Sequence, residues 1–214
     1  MKNRFVRLAY LSLLPGILLL VASAVTYSRV QDGYGSLQAF SEAQNVTLNY
    51  NEAGQLIDRG STEGADAILA LLTEDWNYPV VSSDLDPNSP LVNTGTEYMY
   101  QMATIVSHTL HGTQTVVLEE DVEYNGELFT AGEHEVKVDG KYWTDFDRRH
   151  PLEGPARNQA WSGTVHGLVG ELGVGTVTHS TLQLGLGLAA VFAILGLSFL
   201  LTGAGVIWVT KADS

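Results

Sequence analysis

Apolar residues gather at the two ends of this chain, and polar ones fill the middle. From Leu8 to Ser28 there is no charged residue, and from Leu172 to Thr210 only the titratable His179 interrupts the run. A bilayer core about 30 Å thick needs roughly 20 mostly apolar residues in a helix. Leu184 to Val209 meets that length with room for tilt. Backbone groups in hydrocarbon must bond within their own segment, so the pattern predicts a transmembrane helix over 184–209. Trp208 and Lys211 stand where interfacial anchors are favoured.

Residues 8–28 have the same character behind a basic flank of Lys2, Arg4 and Arg7. The positive-inside rule puts 1–7 in the cytoplasm, turns 29–183 outward, and returns 210–214, with Lys211 and Asp213, to the cytoplasm. Two readings of 8–28 stand side by side. It is a retained first span, or it is a signal peptide cut near Ala22-Ser23-Ala24, with Pro15-Gly16 interrupting the apolar run. Either way the middle of the chain faces outward. The expected location is a cell membrane, crossed twice, with the lipid bilayer as the first partner.

Gly185, Ala189 and Ala193 recur at helical spacing on the second span, with Gly196 close by, and Ser12 and Gly16 form a matching patch on the first. Small residues let helices approach closely, so this face predicts a helix pair. The partner is the other span, another copy, or another membrane protein.

Within 29–183, Ser36 to Ala43 extends the first helix or forms a short one. Val46 to Tyr50 alternates apolar and polar residues as a half-buried strand does, and Asn51 to Gly54 turns it into a returning strand over Gln55 to Arg59. Ser61 or Thr62 caps a helix with the apolar face Ala65, Ile68, Leu69, Leu72 and Trp76. A second helix is predicted over Thr96 to Leu110, with the stripe Tyr98, Met99, Met102, Ile105 and Val106, and Gly112 as its stop. Asn125-Gly126 and Asp139-Gly140 are signals for tight hairpin turns, so three or four antiparallel strands follow between Gln114 and Trp143. Arg157 to Gly170 has helical character, weakened by five glycines from Gly163 to Gly175. The sum is an α+β extracytoplasmic domain flanked by two transmembrane helices.

Charge narrows the function classes. Residues 29–183 carry 23 Asp and Glu against 7 Lys and Arg. Nucleic-acid recognition needs clustered basic residues and is excluded as an expectation. There is no cysteine, so disulfides, thiolate metal sites and cysteine nucleophiles are excluded too.

Candidate chemistry is sparse. His108 and His111 lie three apart on the predicted second helix and share a face, so with a carboxylate they would suit a divalent metal. Asp147 is the preferred third ligand, with Asp145, His150 and His134 as others. The bland reading is that histidines in the last helical turn face its negative end. Asp84, Asp86 and Asn88 open like a calcium loop, but Ser89 takes the glycine position and Gly95 the closing carboxylate position, so a solvated turn is expected. Arg148 and Arg149 neutralise Asp145 and Asp147 on this reading.

Several phrases carry a resemblance: Asn45-Val-Thr-Leu after the first span, Ile105-Val-Ser-His108-Thr-Leu110, Gly140-Lys-Tyr142, and Asp147-Arg148 followed by Ala156-Arg157-Asn158. With the two-span layout, they make the chain resemble uncharacterised actinobacterial membrane proteins with an outward domain. Gly112 to Asp139 looks like an addition to that shorter pattern. Some members are named aromatic ring-opening dioxygenases. The resemblance would then imply iron held by two histidines and a carboxylate in an open pocket. A soluble aromatic substrate gives no reason for two membrane anchors. The expected role is therefore an envelope protein that binds or organises a membrane or cell-wall component, without catalysis or cofactor. The alternative is a metal-dependent enzyme or sensor using His108 and His111.

Overall fold

The computed structural model describes residues 2–212, with side chains described over 4–211. Of the expected cytoplasmic ends, Met1, Asp213 and Ser214 lie outside the described residues. The fold is α+β, with a long apolar helix at each end and small sheets between them. Helix α1 is Lys2–Gln44 and α5 is Gly163–Ala212. Both are long and apolar enough to cross a membrane. Packing divides the chain into two units: residues up to Ala43 with those from Thr178 on, and Gln44–Val177.

In the first unit α1 and α5 run antiparallel along a seam of small side chains. Ala9, Gly16, Ser23, Val30 and Leu37 recur every seventh position on α1, and Leu182, Ala189, Gly196 and Gly203 do so on α5. A seven-residue repeat keeps one stripe of each helix facing the other as the pair supercoils. Contacts step in opposite directions: Gly203 meets the Ala9 carbonyl, Gly196 meets Gly16, and Gly185 meets Val30. The Ser23 hydroxyl donates to the Ala189 carbonyl at 2.7 Å, and Ser12 to that of Phe199 at 2.9 Å. The predicted small face thus pairs within the chain. Ala193 sits beside the seam, half-buried, while Ala189 is 3% exposed. Leu13, Leu20, Leu182 and Leu200 pack against the seam glycines, while Leu11, Leu18, Leu184 and Leu201 are exposed. Pro15 does not interrupt α1, and Ser36 to Ala43 continues it.

The second unit opens with a turn at Asn51–Gly54, where Gly54 N–H donates to Asn51 O. The expected hairpin is made but is shorter than two full strands: Asn51 N–H donates to Gln55 O and Ile57 N–H to Asn49 O. Tyr50 and Leu56 make one isolated antiparallel pair, while Thr47 pairs with Leu91 instead. The other edge of the first segment is used by residues 90–92: Leu48 N–H goes to Pro90 O, and Val92 N–H to Val46 O. Helix α2, Thr62–Ala70, starts at Ser61, whose side chain accepts from Gly64 N–H. It ends in a π-helical turn, Leu71–Asp75, closed by Trp76 N–H to Leu71 O at 3.1 Å. A short 3-10 turn, Ser82–Asp84, leads to the Asp86 side chain accepting from Asn88 N–H, the solvated turn expected of that segment.

Helix α3, Gly95–Leu110, is capped reciprocally by Thr94 and Glu97. Its predicted stripe is half right. Tyr98 and Val106 are buried, but Met99, Met102 and Ile105 are only half-buried, while Tyr100 and Ala103 are fully enclosed. The helix is surrounded on several sides, so a single stripe could not describe it. Its end is made at His111, with φ −102° and ψ 10°, and Gly112 does not take the left-handed conformation of a glycine stop.

Strands β1 (Thr113–Leu118), β2 (Val122–Tyr124), β3 (Glu127–Phe129) and β4 (Gly132–Lys137) form a two-stranded ribbon in two ladders, β1 with β4 and β2 with β3. Asn125 and Gly126 turn it with φ of 52° and 84°, the positive pair such a turn needs. Three residues, Glu119–Asp121, oppose two, Thr130–Ala131, so the ladders are offset by one. Asp139 and Gly140 also take positive φ, but no strand returns after them. Gly140 N–H bonds Leu110 O instead, closing β4 onto the end of α3.

Helix α4 is Glu153–Ala160. The core gathers Val106, Leu110, Val138, Phe146, Ala160 and Trp161, with Trp76, Trp143, Val165 and Val169 packed against it. The glycines from Gly163 to Gly175 do not break α5. One of them is a packing device: a Cβ on Gly175 would lie 2.7 Å from the Tyr98 ring.

Candidate functional site

Placing His108, His111 and Asp147 in the fold separates them. His108, on the last turns of α3, turns toward the Asn51–Ser61 segment and meets Asp58 Oδ2 at 2.8 Å. The pair is half-buried, so it ties that segment to α3. His111 closes the helix, and its Nδ1 lies 2.8 Å from Ser107 O. A proton on Nδ1 would make that contact a hydrogen bond and leave a lone pair on Nε2. The shared histidine face expected from spacing is therefore not made, because the helix ends between the two residues and each ring finds a different partner.

Asp147 belongs to a third place. Its carboxylate accepts from the Tyr124 hydroxyl at 2.7 Å and from Arg149 N–H at 2.9 Å. Those two bonds, the phenol first, hold its pKa below the ordinary 3.8, and the same contact pushes the Tyr124 hydroxyl up. Arg149 thus meets Asp147 through a neutral backbone donor, which is not the charge neutralisation expected of its side chain. Asp145 accepts from Tyr142 N–H. His150 Nδ1 accepts from Leu152 and Glu153 N–H, ahead of α4, while its ring meets Tyr124 and Phe129 edge-on. His134 Nε2 lies 2.8 Å from Thr130 O. Among the described residues no three His, Asp or Glu side chains converge as a metal site would require.

The concave feature beside these residues is a groove of about 400 Å³ between the ends of α2 and α3. One wall is a single helical face, Ala67, Ala70, Leu71, Glu74 and Asp75, at spacings of three and four. The other wall is Ser107, Leu110 and His111, and Gly140 with Tyr142 completes the lining. Alanines make the hollow, and the π-helical turn carries the two carboxylates at its rim. Trp76 Nε1 donates to Tyr142 Oη at 3.3 Å, and the Tyr142 ring stacks on Trp161. Spacing alone pointed to His111 but missed Glu74, Asp75 and Tyr142, which only the packing of α2 on α3 brings to it.

Three further groups escaped the sequence reading. Glu97 is 1% exposed and accepts from Asn93 and Thr94 N–H, yet burial, the largest influence, raises its pKa. Tyr50 and Tyr100 hold buried hydroxyls without a hydrogen-bond partner, and burial pushes both pKa values up. Arg157 is 7% exposed, with its guanidinium over the Trp143 ring and its Nε donating to Trp143 O at 2.9 Å.

No family model, curated protein or solved structure matches this chain.

Proposed function

We propose that this is a two-pass membrane protein whose acidic middle domain faces outward and binds or organises another component of the envelope. The observation that carries the reading is the division of side chains on α1 and α5. Glycines and a few leucines close the seam, and many other large apolar side chains are left exposed along both helices. In water that surface would be costly, since apolar burial is worth about 25 cal/mol per Å². In lipid it is matched. Lys2, Arg4 and Arg7 ahead of the first span support cytoplasmic ends and an outward domain. The same layout is what the resemblance to actinobacterial two-span proteins implies.

A binding role is favoured over a chemical one by where the titratable groups are engaged. His108 holds Asp58, Asp147 holds Tyr124, and Glu153 holds Lys141 at 2.6 Å. These bonds fasten segments of the domain to one another.

Crosslinking in intact cells tests the role. The chain lacks cysteine, so Ser89→Cys, on an exposed turn, gives one attachment point for a photoreactive maleimide. A discrete adduct with one envelope component supports the reading. A protein that stays uncrosslinked there and at Asn125→Cys contradicts it.

A further inference from the structure

We propose that the groove between α2 and α3 binds a primary alkylammonium group, carboxylates at its rim and aliphatic stem on its alanine floor. This deepens the binding role above and rests on it only for which envelope component supplies the amine. Three features act in the same direction. Glu74 and Asp75 stand at the mouth, and no Lys or Arg lines it. Two helices end there, α2 with its π-helical turn and α3 at Leu110. Each helix C-terminus carries roughly half a negative charge, so their fields add to those of the carboxylates. Tyr142 adds an aromatic ring to the lining, which suits a cation over the face not stacked on Trp161.

Size and polarity define the ligand further. Ala67, Ala70, Leu71 and Leu110 give an apolar floor with room for a short chain of methylenes. An inorganic cation would leave the apolar part of the lining unused. With its proton on Nδ1, facing Ser107 O, His111 would offer an Nε2 lone pair as acceptor for an ammonium N–H. A free diamine and a lysine-like side chain borne on a peptide share this chemistry.

Saturation-transfer NMR on the full chain in lipid nanodiscs tests the site. The probes are 1,5-diaminopentane, Nα-acetyl-lysine methylamide, 1-pentanol and pentanoate. The expected result is saturable binding of one or both ammonium probes, at least tenfold tighter than either control. The probe that binds tells a free amine from a chain-borne one. Glu74→Gln with Asp75→Asn weakens binding at least tenfold, and Ala70→Leu abolishes it by filling the hollow without changing charge. Glu119→Gln with Glu120→Gln makes the same charge change on the ribbon and leaves binding unaltered. Equal binding of pentanol, equal loss in the ribbon variant, or no saturable ammonium binding overturns the proposal. The readout is independent of which side of the membrane the domain faces, so its failure and that of the membrane layout are distinguishable.

Discussion

Gly16 and Gly196 face each other across the helix seam so closely that a Cβ on Gly196 would lie 3.0 Å from Gly16 O, and one on Gly16 3.1 Å from Gly196 O. Leu20 and Leu200 side chains lie closer still, and behind them the facing carbonyl is backbone, which cannot rotate away. Gly196→Leu should therefore force the helices apart and cost about 1–3 kcal/mol, the usual range for overpacking. Gly187 lies on the same helix with nothing within 4 Å of its position, so Gly187→Leu should be neutral. Thermal unfolding in mild detergent compares the two variants, and equal shifts would contradict the seam.

The α3 cap makes a pH-dependent case. Glu97→Ala leaves the N–H groups of Asn93 and Thr94 without their acceptor, at about 1–3 kcal/mol for each buried donor, so a loss of about 2–6 kcal/mol is expected. Glu97→Gln keeps an acceptor and should lose less. Because burial raises the Glu97 pKa above 4.5 in the folded protein, the folded state holds this proton more tightly than the unfolded one. The resulting stability is complete below the unfolded value and is lost as pH rises through the folded one. Urea titrations should show wild type gaining on Glu97→Gln as pH falls from 7 toward 4. A difference that stays constant, or shrinks, would refute the assignment.

Tyr100 offers the reverse experiment. Its hydroxyl is buried without a partner, so removing it relieves an unmet donor. Tyr100→Phe should be neutral or stabilising by up to about 1–2 kcal/mol. A clear loss in melting temperature would mean that the hydroxyl is bonded after all.

On the ribbon, the Tyr124 hydroxyl is the first cause of the lowered Asp147 pKa. Tyr124→Phe should move that pKa back up toward 3.8, as read by carboxyl-carbon NMR. The stability linked to Asp147 is present above the unfolded pKa and fades as pH falls through the folded one, and the variant should lose part of it. An unchanged titration would deny the contact.

Local signals in the sequence carried well where one segment decides its own structure. Ser61 as a cap and Asn125-Gly126 as a turn needed no distant partner. Thr94 and Glu97 have capping-box spacing and were readable, though only the structure drew attention to them. What failed were the cases decided by neighbours. Val46 to Tyr50 alternates like a strand but shares its backbone with residues 90–92. Five glycines looked disruptive between Gly163 and Gly175, yet α5 persists, with the Tyr98 ring filling the space at Gly175. His108 and His111 matched a metal-binding spacing, but Asp58, fifty positions earlier, claims the first. The groove was invisible for the same reason: Glu74 and His111 are far apart in sequence, and only helix packing joins them.

The central claim is a partition of solvent, and the absence of cysteine makes it directly measurable. Single cysteines at Arg4, Ser89 and Lys211 would be treated in intact cells with a membrane-impermeant maleimide, before and after permeabilisation. The expected result is labelling of Ser89→Cys in intact cells, and of Arg4→Cys and Lys211→Cys only once the membrane is opened. Labelling of all three before permeabilisation, or protection of Ser89→Cys, would contradict the two-pass arrangement.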